Sequence, residues 1–508
     1  MIDRDYWFAK KDKKFLHNID TFYYSVKLCD DLTQDGNAPN VQRFRRVVAS
    51  YQNLTSGREP FRQLPAEYAL DYVRKPAYSY FYNFWLQLPE QFDICIAPVV
   101  PPSASKIASV TSEIIVQIRS KMLWELGATL AFEKSYEYVK AFCDVFNFKI
   151  AEVKENRVDY CWHTNAIQDP ESYFQVERLS KMQVSRFRHV TYQFQLTDAA
   201  EKGFENDYIA LGRRSDKCFL RIYLKTKEVV EQGYKSWFFY QWFFNGLISR
   251  YDVYVLEKAY KEKNWRYCDI ARLQFALEYD DTLSDAARSY ILAHIEAKAP
   301  DYTIIAKLAN KYTPRLTKIL NVEFQTMRRM SKSFQLLQVR DNSVQGPAKR
   351  IYDYLDNRRL ITESLTHSTF RLVNPGTDTN KSRADYTDFW KRLRGTKQVD
   401  VNLNRHQLKL VRDYSSTLDA EVRKTKAVRA VSNFAMLLTK NAETTIYEDT
   451  AEMLAVLNDN DLNRLFNYKQ SRYHIMQYDD DFDVGLRPCR RICVTDDTGE
   501  IYENTGYD

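Results

Sequence analysis

The sequence predicts an α+β fold, a two-layer sandwich in which a mainly antiparallel sheet carries helices on its apolar side. Three observations predict it. Short runs with two-residue alternation of apolar and polar side chains recur along the chain, the period of a half-buried strand. Helix-like segments lie between them, at intervals of roughly 20 to 40 residues. The polar sides of the runs carry Arg, Asp, His, Tyr, Lys and Glu, so together they make one face of common chemical character.

Taken in order, residues 1–90 read as a helical, basic N-terminal region, most clearly at Asn40-Val-Gln-Arg-Phe-Arg-Arg-Val-Val-Ala. Residues 92–97 read as a short strand, ended by Pro98-Val-Val-Pro-Pro. Residues 113–119 alternate, with Ile114, Val116 and Ile118 on one side, and residues 128–147 read as an amphipathic helix. Residues 157–163 place Arg157, Asp159, Cys161 and His163 opposite Val158, Tyr160 and Trp162. Residues 218–225 place Arg221, Tyr223 and Lys225 opposite Leu220, Ile222 and Leu224. A helix is expected over 228–244, a strand over 272–278 with Arg272, Gln274 and Glu278 on its polar side, and helices over 284–298 and 301–311. Residues 321–325 close the series, with Asn321, Glu323 and Gln325 opposite Val322 and Phe324.

This pattern assigns residues 91–335 to one α/β core. Residues 336–477 read as a helical C-terminal region, clearest over 401–440 and 450–470. Residues 478–508, which open on Tyr478-Asp-Asp-Asp-Phe-Asp, read as an acidic mobile tail.

Composition narrows the chemistry. The chain has 74 basic and 67 acidic residues, a net charge of +7, which suits an anionic partner without the lysine density of a histone-like protein. Its 13 glycines and 14 prolines in 508 residues are near half the usual share of roughly 7% and 5%. No G-x-x-x-x-G-K-[ST], G-x-G-x-x-G or H-E-x-x-H occurs, so P-loop hydrolysis, dinucleotide binding and zincin proteolysis lack their signatures. The eight cysteines have no framework spacing and read as reduced thiols, which points to the cytoplasm. Cys489 and Cys493 stand without a second pair, a poor zinc site. No His-x-His occurs among the seven histidines, so a catalytic metal would rest on carboxylates with at most one His, a set that suits Mg²⁺ or Mn²⁺. The N-terminus has no apolar segment of a secretory signal, and the densest apolar run, 237–244, is far short of the roughly 20 residues of a membrane span. No membrane partner is expected.

The strongest local signal is Arg213-Arg-Ser-Asp-Lys-Cys-Phe-Leu-Arg-Ile-Tyr-Leu-Lys-Thr-Lys227. Arg213, Arg214, Lys217, Arg221, Lys225 and Lys227 stand there against Asp216 alone, a density that suits phosphate contacts. Tyr223 lies in its middle. A free phenol has a pKa near 10 and is a poor nucleophile at neutral pH, but flanking cations favour phenolate. With 36 tyrosines in the chain, a tyrosine lining a sheet surface is the alternative on count alone.

Five stretches occur in an order that resembles the replication initiation factor family, the rolling-circle initiators of plasmids and integrative conjugative elements. They are Glu113-Ile-Ile-Val-Gln-Ile-Arg-Ser-Lys-Met-Leu-Trp, Arg157-Val-Asp-Tyr-Cys-Trp-His-Thr-Asn, Cys218-Phe-Leu-Arg-Ile-Tyr-Leu-Lys, Asn321-Val-Glu-Phe-Gln-Thr and Asp388-Phe-Trp-Lys-Arg-Leu. The resemblance spans roughly residues 90 to 395. It implies a ferredoxin- or RRM-like nickase core whose strand tyrosine attacks an origin phosphodiester, holds the 5′ end and frees a 3′ hydroxyl as primer. Tyr223 falls on the family's tyrosine, with Arg221 and Lys225 beside it for phosphate oxygens. Asp159 and Glu323 fall on its acids and are implied metal ligands for Mg²⁺ or Mn²⁺. His163 is an added ligand or proton shuttle, and Glu278 a reserve acid.

Two positions depart from that pattern: Leu224 stands where a polar residue is usual, and Asn321 where a basic one is. Tyr208 is then an alternative nucleophile, and a non-catalytic DNA-binding protein that kept the fold is the second functional reading. Expected partners are origin DNA, duplex and single-stranded, held in part by Arg213, Arg214, Lys217 and Lys227, and a host helicase. The sequence leaves the oligomeric state open.

Overall fold

A computed structural model describes residues 4–9, 13–33, 35–54, 57–74, 82–100, 112–167, 169–187, 190–195, 205–214, 216–328, 334–338, 344–347, 351, 355, 358–375, 381–398, 408–412, 490–494 and 501–504. The chain divides into two compact units, one of Met1–Met327 with Thr362–Asn402, the other of Arg328–Ile361 with Leu403–Asp508.

The first unit is built on an eleven-stranded sheet. In chain order it begins with helix α1 (Arg4–Trp7), strand β1 (Phe15–Leu28), α2 (Pro39–Gln52), β2 (Arg58–Pro60), β3 (Asp71–Val73), β4 (Phe84–Leu88), β5 (Phe92–Ile96) and β6 (Ile114–Ile118). Next come α3 (Ser120–Leu126), α4 (Ala128–Phe146), β7 (Ile150–Thr164), α5 (Pro170–Tyr173), α6 (Val176–Met182), β8 (Gln183–Ser185), β9 (Val190–Gln195), β10 (Glu205–Leu211) and β11 (Cys218–Leu224). Helices α7 (Lys225–Gln232), α8 (Trp237–Phe244), α9 (Arg250–Glu262), α10 (Tyr267–Tyr279), α11 (Asp285–Ile295) and α12 (Tyr302–Tyr312) lead to β12 (Leu320–Met327). The strand order is β2-β3-β4-β5-β6-β1-β7-β12-β11-β10-β9, and the pairings are antiparallel. The α+β class with a mainly antiparallel sheet is therefore the architecture of this unit.

Helices lie against both faces. On one, Phe22 and Tyr24 of β1 meet Phe132 of α4, and the Tyr24 hydroxyl bonds Ser135 at 3.0 Å. Phe44 of α2 packs with Phe84, Phe142 and Phe146 in the same layer. On the other, Trp124, Phe238, Trp242, Tyr251 and Phe275 from α3, α8, α9 and α10 form a core that takes in Cys161. Helix ends follow local chemistry: Ser249 and Asp252 close a capping box on α9, and the Asp301 carboxylate accepts from two backbone amides at the start of α12.

Several expectations need correction. Residues 1–90 are not a helical region, because β1, β2, β3 and β4 lie there beside α2. β1 is buried on both sides, with His17, Asn18, Asp20 and Ser25 buried among its apolar and aromatic residues, so it lacks the period-2 signature of a half-buried strand. Residues 272–278 are part of α10, not a strand. Ile270, Leu273 and Ala276 give that helix its buried stripe, and a seven-residue window is too short to separate the two periods. The helix expected over 228–244 is two helices, broken at Gly233 (φ 64°) and Lys235 (φ 67°), a left-handed turn that α-helix cannot continue through.

In the second unit, β13 (Phe334–Gln338), β14 (Val344–Pro347), β16 (Leu408–Arg412), β17 (Arg490–Val494) and β18 (Ile501–Asn504) pair in the order β14-β13-β16-β17-β18. β15 (Phe370–Leu372) belongs to the first unit and pairs with β8. The stretch 408–412, expected within a helix, is thus a strand, and the expected tail supplies two strands. The rest of the helices expected over 401–440 and 450–470 lies outside the described residues.

Candidate functional site

Tyr223 is the last but one residue of β11, and the antiparallel ladder decides its neighbours. Asn321 of β12 stands opposite it, and Glu323 opposite Arg221. One strand further, His163 of β7 faces Asn321, Cys161 faces Glu323 and Asp159 faces Gln325. Since side chains alternate along each strand, Asp159, Cys161, His163, Arg221, Tyr223, Asn321 and Glu323 share one side of the sheet, as the alternation predicted. On the other flank Tyr208 of β10 stands opposite Tyr223, with the rings 6.1 Å apart.

The Tyr223 hydroxyl donates to Glu323 Oε2 at 2.8 Å and accepts from Asn321 Nδ2 at 2.9 Å and Lys225 Nζ at 3.2 Å. Glu323 also accepts from Asn321 at 3.0 Å and is paired with Arg221 through its other oxygen. Asn321 is therefore a member of the network, its amide donating to both the Tyr223 hydroxyl and Glu323. Lys225 is the first residue of α7 and holds Glu228 at 2.6 Å and Asp20 at 3.5 Å. Asp20 also takes Lys235 at 3.4 Å.

Asp20 was invisible in the sequence. It sits at a register shift of β1 between Ile19 and Thr21, an extra residue that breaks alternation and turns its carboxylate toward the lysines. Its signal, had the strand been recognised, was a lone acid just before the aromatic run Phe22-Tyr-Tyr.

The polar face is not open to solvent, although alternation of this kind marks a half-buried strand. Tyr223 is 6% exposed, Glu323 and Asp159 1%, and His163 is fully buried. His163 lies on Trp124, ring centroids 4.8 Å apart, and its Nδ1 accepts from Trp242 Nε1 at 3.1 Å. Burial, reinforced by the nearby Lys225 ammonium, holds its pKa well below the ordinary value, so it is a neutral imidazole packed among tryptophans.

Burial also sets the other charges. It raises the Tyr223 pKa well above 10, helped by Glu228 and Glu323, and Lys225 and Arg221 only partly offset it. The resting tyrosine is a neutral phenol. Burial alone would raise Asp20, but the ammonium groups of Lys225 and Lys235 outweigh it and hold the carboxyl far below its ordinary value. Glu323 is likewise held low, with Arg221 overcoming its burial. Asp159 goes the other way: burial pushes it up to about 6 against the pull of Arg157, which it binds through both oxygens at 2.9 and 2.5 Å.

The implied metal set does not come together. Glu278 is exposed on α10 and accepts from the Tyr254 hydroxyl at 2.7 Å. Asp159 and Glu323 are each held by an arginine. Among the described residues, no three His, Cys, Asp or Glu side chains converge as a metal site. As arranged, these carboxylates fit the protein's own cations and not a resident Mg²⁺ or Mn²⁺.

Of the residues expected to hold DNA, Arg213 and Arg214 are exposed in the β10–β11 turn, closed by the Asp216 carboxylate on the Arg213 amide at 2.8 Å. Lys217 is half-buried beside them. Lys227 is 7% exposed on α7, near Glu231 at 3.9 Å, and is no surface contact. No helix among the described residues is long and apolar enough to cross a membrane.

No protein-family model matches the chain, and no curated protein does. Among solved structures it is similar to a rolling circle replication initiator protein from Geobacillus stearothermophilus. The two are 11% identical with a TM-score of 0.33, over 77% of this chain and 99% of that one. A likeness of that size assigns neither family nor chemistry. The resemblance to replication initiation factors therefore rests on the sequence motifs.

Proposed function

We propose that this protein is a replication initiator of a plasmid or related mobile element, which nicks one strand of its origin DNA through Tyr223. The observation that carries this reading is the Tyr223 hydroxyl, 2.8 Å from a carboxylate and 3.2 Å from an ammonium at the end of a basic strand. A buried phenol needs a base, and Glu323, kept ionised by Arg221, is within reach of its proton. Lys225 then stabilises the phenolate, and Arg221 lies ready for a phosphate oxygen, with its buried Nε lacking a hydrogen-bond partner.

In the proposed step the Tyr223 oxygen bonds to phosphorus as its proton passes to Glu323. The bond from phosphorus to the 3′ oxygen breaks in line, the 3′ oxygen takes a proton from solvent, and the 5′ phosphate remains on the tyrosine. The phosphotyrosine link conserves the bond energy, so no nucleotide hydrolysis is needed. Tyr223 is 6% exposed, so it reaches DNA only when the structure around it opens. Lys235, in a left-handed conformation between α7 and α8, places its ammonium on Asp20 beside Lys225. A divalent ion would have to displace Arg157 or Arg221 from its carboxylate, so no step is routed through one.

The test mixes protein with a plasmid carrying its own gene and upstream DNA, in Mg²⁺, in Mn²⁺ and in chelator. A protease-sensitive covalent adduct that Tyr223→Phe abolishes, with DNA binding kept within a few-fold, is expected. Normal adduct from that variant would end the assignment. A non-catalytic DNA-binding protein is the second reading, favoured by the closure over Tyr223, and no adduct from wild type under binding conditions would select it.

A further inference from the structure

A cavity of about 510 Å³ in the first unit lies just past the end of β7, lined by Ala166 and Ile167 and by the helix Asp388–Gly395. Its charge is unbalanced. Lys13, Arg178, Lys181 and Arg392 line it and are exposed, whereas Asp388 is its only carboxylate. Among the described residues none of the four cations is ion-paired with a carboxylate. A concave site with four cations to one acid focuses positive potential and favours an anion with several charges.

The floor is aromatic. Phe389 is buried between Phe15 at 5.3 Å and Tyr173 at 5.9 Å, and the Arg178 guanidinium lies 4.4 Å from the Tyr173 ring centre. Flat apolar surface rimmed by cations is the chemistry that holds a base and its phosphates. The cavity also has the right position. Thr164, the last residue of β7, pairs with Leu320 of β12, which pairs with Leu224, next to Tyr223. Ala166 and Ile167 continue from that same end of the sheet.

We propose that this cavity binds nucleotide units of an unpaired DNA strand, with Arg178 and Lys181 on phosphates and the aromatic floor under a base. Its affinity for nucleotides stands on the cavity alone. The choice of a DNA strand over a free nucleotide or RNA rests on the function proposed above.

The test is fluorescence anisotropy of a labelled oligothymidylate on the full chain over a range of salt. Each phosphate contact contributes about 0.7 to the slope of log K against log salt for a single strand. The double variant Arg178→Gln/Lys181→Gln, at two exposed positions, should lower the slope by about 1.4 and weaken binding at least tenfold at low salt. Asp388→Asn should tighten binding, and Tyr223→Phe should leave the slope unchanged. An unchanged slope and affinity in the double variant, with native Trp fluorescence, would overturn the proposal. Binding of thymidine monophosphate that depends on Arg178 while the oligonucleotide fails to compete would overturn the assignment to a strand, and equal dependence for oligouridylate would overturn the choice of DNA. If wild type forms no adduct but the slope still falls in the double variant, the nicking reading fails and the cavity stands. Adduct formation with an unchanged slope has the opposite meaning.

Discussion

Glu323→Gln removes one charge from the network and little else, because glutamine keeps the shape and can still accept from Tyr223. Three donors converge on this carboxylate: Arg221, Tyr223 and Asn321. A hydrogen bond to a charged acceptor is worth about 1 kcal/mol more than one to a neutral acceptor, so three such bonds lose about 3 kcal/mol. Stranding Arg221 beside a neutral amide gives the same scale, since breaking a buried ion pair costs about 3–5 kcal/mol. Urea unfolding followed by tryptophan fluorescence reads this directly, because Trp162 and Trp242 are fully buried in the same unit. The loss should be about 3 kcal/mol at pH 7. Arg221→Met in the same chain should recover part of it, making the double variant less damaging than the sum of the two. Glu323 has a lowered pKa, so its contribution is full above the ordinary 4.5 and is lost as pH falls through the lower folded value. The gap between wild type and variant should therefore narrow below about pH 4.5. A loss under about 1 kcal/mol at pH 7, or simple additivity with Arg221→Met, would refute the view that this pair holds the site together.

Asp159 should show the opposite slope. Its folded pKa is raised to about 6, so its contribution is greatest below the ordinary 3.8 and is lost as pH rises through 6. The stability of wild type relative to Asp159→Asn should fall by roughly 2–3 kcal/mol between pH 4 and pH 7 in urea unfolding, and a rise would contradict the burial argument. At the α7–α8 turn, Gly233→Ala places a Cβ on a residue at φ 64°, 2.7 Å from the end of the Lys263 side chain. It should destabilise by about 1–2 kcal/mol, and adding Lys263→Ala should not restore it, because the strain is in the backbone.

How much of this was legible follows from what each residue faces. The strands that carry Asp159, Tyr223 and Glu323 were readable because polar and apolar neighbours alternate there, and one face then collects the polar set. That same alternation is the period of a half-buried strand, yet the polar face is buried as well and its charges answer one another. Period alone does not distinguish a wet face from a polar layer under helices. β1 escaped because both its sides are covered, and Asp20 escaped with it, since a bulge has no periodic signature. Glu278 was misplaced by a seven-residue window of Arg-Leu-Gln-Phe-Ala-Leu-Glu that fits strand and helix alike. Asn321 looked like a defect in a motif and is a donor to the Tyr223 hydroxyl.

The central place of β1 has a consequence for how the protein is made. Its fourteen residues leave the ribosome before their partners β6 and β7, and the last residue of β7 is Thr164. At about 5–20 residues per second, roughly 7–27 s pass between synthesis of Leu28 and of Thr164. Both edges of this long aromatic strand are unpaired until β6 is made, the edge toward β7 stays open until Thr164, and β7 in turn waits for β12 at the far side of eight helices. The pairings of β1 with β7 and of β7 with β12 are distant in sequence, a pattern that slows folding and exposes sticky intermediates. Nascent chains stalled before Thr164 should be the ones that chaperones hold and that aggregate when chaperones are scarce.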